Sequence, residues 1–114
     1  MDFARLRPHQ LQAAIAANTP VVLPIGVMEY HGQHLPAGVD LLAVTQVLDR
    51  LGNAIITLPP FAYGAASHAV VGPEGTGTLH IDAGAILPLA EALFTALLQA
   101  GFRNIRGVIH HQTE

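Results

Sequence analysis

The order of apolar segments in this chain predicts an α/β fold of three layers (α/β/α), with helices on both faces of a mainly parallel sheet. Three observations predict it. Short apolar runs at 21–25, 54–58 and 104–109 read as strands, and the first lacks the alternation of a half-solvated strand. Segments with apolar residues at helical spacing stand beside them, at 8–17, 40–51 and 83–100. Strands alternating with helices imply right-handed crossovers and parallel pairing. Residues 1–114 are expected to form a single domain with one core.

In chain order, Pro8 suits the first turn of the first helix, and Leu11, Ala14 and Ile15 make its apolar stripe. Asn18, Thr19 and Pro20 stop it. Val21 to Ile25 is the first strand, and Gly26 and Gly32 allow sharp turns behind it. The second helix has Leu41, Val44, Val47, Leu48 and Leu51 at core spacing, with Gly52 as its stop. Ala54 to Leu58 forms the second strand, closed by Pro59 and Pro60. Residues 61–80 show little periodicity. A loop of that length in a compact domain is usually functional or disordered, and its neutral Ala/Gly-rich make-up points to an ordered active-site loop. The third helix carries Ile86, Leu89, Leu93, Ala96 and Leu97, and Pro88 calls for either a start near Ala85 or a kink. Gly101 ends it, and Asn104 to Ile109 is the third strand.

Composition narrows the chemistry. Cysteine is absent, so a metal would have to be held by imidazole and carboxylate. The net charge is −3 and all basic residues are Arg, without a basic patch, which disfavours nucleic acid as a partner. No uninterrupted apolar run approaches the length of a membrane span, and no secretory leader is recognisable. The expectation is a cytoplasmic protein with no membrane partner.

The chemistry gathers between residues 29 and 40. Only 11% of the chain is charged, yet Glu29, His31, His34 and Asp40 fall in this one stretch behind the first strand. Glu29 and His31 lie two apart, so in extended backbone both side chains leave on one side. Asp40, at the mouth of the next helix, can turn back toward them. Taken singly, Asp40 reads as a helix N-cap worth about 1 kcal/mol, and the others read as loop hydrogen-bonders. Taken together they suit a divalent ion of the Zn, Mn or Fe kind. In parallel sheets the site lies off the carboxyl ends of the strands. Glu29 and His31 follow strand one, Tyr63 and His68 strand two, and His111 strand three.

The stretch Leu23-Pro24-Ile25-Gly26-Val27-Met28-Glu29-Tyr30-His31-Gly32-Gln33-His34-Leu35-Pro36-Ala37-Gly38-Val39-Asp40 resembles the signature of the creatininase (creatinine amidohydrolase) family, roughly P-x-G-x-x-E-x-H-G-x-H-L-P-x-x-x-D. The resemblance implies that Glu29, His31 and Asp40 are metal ligands, Asp40 bridging two ions. Tyr63 to His68 and Gly75 to Thr78 partly resemble the family's Y-G-x-S-x-x-H and G-T-x-T elements. The family's N-G-H-x-x-N segment aligns with the end of the chain. His111 then takes the ligand place, His110 stands on the glycine and Glu114 on the final asparagine. Thr113 stands where some members carry a Glu ligand.

The resemblance implies a metal-dependent amidohydrolase that uses one or two divalent ions (Zn, Mn or Fe) on a small-molecule substrate with a small or cyclic C–N amide bond. It implies catalytic roles for His34 and Glu114 and a homo-oligomer, a hexamer in the family. Family members are about twice as long, so the domain is expected to be incomplete at its C-terminus. The rival expectation is a catalytically incomplete α/β fragment that binds metal weakly and self-associates or packs on a partner.

Overall fold

The computed structural model describes residues 1–66 and 76–111. Three helices, α1 (Pro8–Ala16), α2 (Val39–Asp49) and α3 (Ala83–Ala100), alternate with three strands, β1 (Val21–Ile25), β2 (Ile56–Thr57) and β3 (Ile105–Ile109). The sheet order is β2-β1-β3, and both pairings are parallel, as expected from the alternation of strands with helices. In register, Val21 lies opposite both Ile56 and Ile105.

β1 is central because its residues can be buried on either face. Val21, Val22, Leu23 and Pro24 are all buried. Val21 and Leu23 join Ala14, Ile56, Leu58, Leu97 and Phe102 in one cluster, with Leu11, Ile15, Leu93 and Phe94 packed on it. That face is covered by α1 and α3. Val22 points the other way, into a cluster with Val44, Leu48 and Ile55 under α2. The period-two alternation of β1 therefore makes the three layers. Pro24 cannot donate to a ladder, but β2 has ended by then: the Phe61 N–H bonds to the Pro24 carbonyl and the Gly26 N–H to the Phe61 carbonyl, both at 2.9 Å.

Several boundaries differ from those expected. β2 covers only Ile56–Thr57, because Gly52–Ala54 wind into a 3-10 turn. The N-terminus docks beside that strand: the Met1 ammonium donates to the Gly52 and Ile55 carbonyls, and the Met1 carbonyl accepts from the Thr57 N–H. α2 ends at Asp49 rather than Leu51, and Val47 and Leu51 are exposed, since a single stripe of the helix faces the sheet. α3 begins at Ala83, so Pro88 lies inside the helix rather than in its first turn. Leu89 of the expected α3 stripe is exposed. By length and composition alone α3 could cross a membrane, with mean hydropathy 1.5 over 18 residues despite Glu91, Thr95 and Gln99. Its Leu93, Phe94 and Leu97 sit on the core cluster, while most of the helix is exposed.

Candidate metal centre

Beyond Ile25 the chain must pass the start of α2 at very short range. Gly26 permits this: a Cβ there would lie 2.8 Å from the Leu41 N and 2.9 Å from the Leu41 Cα. Gly26 is therefore needed for close approach, whereas Gly32, at φ +88°, is needed for a turn. Between them Glu29 is drawn in. Its N–H bonds to the Ala37 carbonyl (3.0 Å), and it is only 5% exposed.

Asp40 is not the N-cap of α2. Gly38 is, and Asp40 is the second helical residue. Asp40, Val44 and Leu48 stand four apart and are all buried. The stripe that packs α2 onto the sheet thus runs past the strand ends and finishes in a carboxylate. A negative charge in the first turn of a helix is favourable.

Four side chains expected to act together do converge. His31 Nε2 lies 3.1 Å from Asp40 Oδ1 and 3.6 Å from Glu29 Oε1. His111, just past β3, places Nδ1 at 3.0 Å from Asp40 Oδ2 and 3.3 Å from Glu29 Oε1. Glu29, His31 and Asp40 each offer a ligand atom within 4.8 Å of the other two. Two ligands sharing one ion through bonds of about 2.1 Å stand about 3.0–3.4 Å apart, so these spacings suit a coordination shell.

The ring orientations fit as well. A carbonyl can only accept, so His31 Nδ1–H donates to the Glu29 carbonyl and His111 Nε2–H to the Ala65 carbonyl, each at 3.0 Å. Both rings then turn their remaining nitrogen toward two buried carboxylates. Buried acids are costly without a counter-charge, which divalent cations held at this cluster would supply.

The surrounding loops hold these orientations. The Leu79 N–H bonds to the Met28 carbonyl (2.8 Å), and the Tyr30 N–H to Thr78 Oγ1 (3.0 Å). His80 accepts from the Ala66 N–H at 3.1 Å and donates to Asp82 at 3.0 Å, in line with loop hydrogen bonding. It thereby steadies the segment whose Ala65 carbonyl orients His111. Ala65 and Thr78 were not expected to support the cluster, although Thr78 falls in the G-T-x-T resemblance. His110, read as standing on a glycine of the motif, also reaches the cluster, with Nδ1 at 3.7 Å from Asp40 Oδ1.

His34 is not brought to the cluster. It is exposed, its ring folded back to 3.0 Å from the place where Gly32 would carry a Cβ. Tyr63 is exposed too. Ser67, His68, Gly75, Thr113 and Glu114 lie outside the described residues. A hollow of about 350 Å³, lined in part by Tyr30, His31, Gly32 and Thr76, adjoins the cluster. A larger one, about 470 Å³, lies by Met1, Asp49 and Pro59, where no imidazole reaches it.

Comparison with known proteins gives one consistent result. The family model described as "Creatininase: Creatinine amidohydrolase" matches residues 4–113. A creatinine amidohydrolase of Pseudomonas putida is 29% identical over 101 residues, covering 84% of this chain and 39% of the relative. Among solved structures, one described as "Creatininase Mn" has a TM-score of 0.84 at 26% identity, covering 96% of this chain and 45% of that one. A glutamate-to-glutamine mutant creatininase complexed with creatine has a TM-score of 0.80 at 25% identity, covering 93% and 43%. The chain therefore spans less than half the length of these relatives.

Proposed function

The chain belongs to the creatininase family, and on that premise we propose that it is a metal-dependent amidohydrolase acting on a small or cyclic C–N amide bond. The observation that carries the reading is the convergence of Glu29, His31, Asp40 and His111 in one partly buried cluster. Glu29, Asp40 and His111 would hold one divalent ion (Zn, Mn or Fe), and Asp40 would reach across to His31 at a second. When bound, such an ion supplies Lewis acidity, bringing the pKa of water toward about 7 and polarising a carbonyl.

The chain's own residues do the rest. Glu29 and Asp40 neutralise the cation, and the Glu29 and Ala65 carbonyls fix which ring nitrogen His31 and His111 present. The hollow beside His31 suits a small substrate, and a matched relative is complexed with creatine. His34 faces solvent, where it would meet substrate rather than metal, and Glu114 would be a second catalytic residue or supply the ligand that Thr113 lacks. The functional unit is proposed to be a homo-oligomer.

The test is hydrolysis of creatinine and of other small cyclic amides with Mn²⁺ or Zn²⁺ added, compared with the Asp40→Asn variant. Metal-dependent turnover that the variant lacks supports the reading, and turnover indifferent to metal contradicts it. A second reading has its own observation: the match covers only 39–45% of the relatives. On that reading the chain holds metal without turning over substrate. Metal binding with no turnover of any small amide would favour it.

A further inference from the structure

Two adjacent histidines follow β3, and both come against Asp40, but on different oxygens. His111 Nδ1 meets Oδ2 at 3.0 Å. His110 Nδ1 lies 3.7 Å from Oδ1, the atom that His31 Nε2 approaches at 3.1 Å from another loop. Asp40 therefore divides the imidazoles into two sets, one on each oxygen. On that two-ion reading we propose that His110 is a further ligand of the ion at His31 and Asp40 Oδ1, at the open rim of the cluster, beside the buried set of Glu29, His111 and Asp40 Oδ2.

Two magnitudes carry this. A hydrogen bond from imidazole to carboxylate spans about 2.7–3.2 Å, so 3.7 Å is too long for His110 to be explained as Asp40's hydrogen-bond partner. Ligands at about 2.1 Å in tetrahedral arrangement stand about 3.4 Å apart, and the spacings of 3.1 and 3.7 Å around Oδ1 bracket that value. Exposure separates the subsites: the side chains are 5% exposed for His111, 24% for His31 and 73% for His110. The rim ion would keep open positions toward solvent and exchange more readily than the buried one. Two imidazoles and a carboxylate suit Zn²⁺, Co²⁺ or Mn²⁺. The resemblance puts glycine at this position, so His110 is a donor that this chain adds.

The inference rests on the metal reading of the cluster, and its test needs no turnover. The apo protein is titrated with Zn²⁺ by calorimetry, and with Co²⁺ followed through its visible d–d bands. The wild type is expected to take two ions of unequal affinity. His110→Ala, an exposed position whose fold is checked by circular dichroism, should keep the tighter ion and bind the weaker at least tenfold less well. His9→Ala, on the exposed face of α1, should leave both unchanged. Two ions bound with unaltered affinities in His110→Ala would overturn the role of His110 while leaving the metal reading intact. A wild type that binds neither Zn²⁺ nor Co²⁺ would overturn both.

Discussion

Gly26→Ala is expected to damage the candidate site without touching any of its side chains. The new methyl would sit 2.8–2.9 Å from the backbone N and Cα and the Cβ of Leu41, where ordinary carbon contacts need about 3.5 Å or more. Neither side is a flexible side-chain end that can swing away, so β1's end and α2's first turn must part by roughly 0.5–1 Å. Overpacking of this kind costs about 1–3 kcal/mol. The turn that moves carries Asp40, whose contacts of 3.0 Å to His111 and 3.1 Å to His31 would stretch together. By analogy with disturbing groups that orient ligands, metal affinity should fall about 10- to 100-fold. Urea unfolding of the apo protein reads the first effect and Zn²⁺ titration the second. A variant with an unchanged unfolding midpoint and unchanged metal affinity would refute the idea that close packing of α2 on β1 positions the cluster.

Leu23→Ala, at a fully buried position of the central strand, should cost about 2–5 kcal/mol in urea unfolding, and a loss below 1 kcal/mol would remove β1 from the heart of the core. His80→Ala should change stability by less than about 1 kcal/mol yet weaken metal binding up to about tenfold, because it loosens the Ala65 segment that orients His111. Unaltered affinity in that variant would show that the segment holds without its clamp. Leu87, Leu89 and Leu98 are exposed on α3, so the protein should self-associate and its unfolding midpoint should rise with protein concentration. A midpoint independent of concentration would contradict this.

Much of the fold could be read from the chain because β1 declares itself. Five residues with no polar member can lie only where both faces are covered, and three helical spacings supply the cover. Topology then places whatever follows each strand along one edge, so Glu29, His31 and His111 were legible as neighbours although 80 residues separate the last two. Other features depend on backbone geometry that no periodicity records. The two-residue β2 reflects the 3-10 turn before it and the docked N-terminus, neither of which leaves an apolar pattern. The need for Gly26 comes from Leu41, fifteen positions away. Ala65 acts through its carbonyl, which any residue would supply. His34 shares the motif with His31, but the turn at Gly32 sends it to solvent.

The central claim is that Glu29, His31, Asp40 and His111 are built around a cation, with Asp40 between the two imidazoles. Equilibrium dialysis against Zn²⁺ or Mn²⁺, followed by elemental analysis, tests it most directly on the wild type and on Asp40→Ala, Glu29→Ala and His31→Ala. The account predicts that the wild type retains at least one ion per chain and that Asp40→Ala retains the least, since each oxygen of Asp40 serves a different imidazole. A wild type that dialyses metal-free, or an Asp40→Ala variant that keeps its full complement, would contradict it.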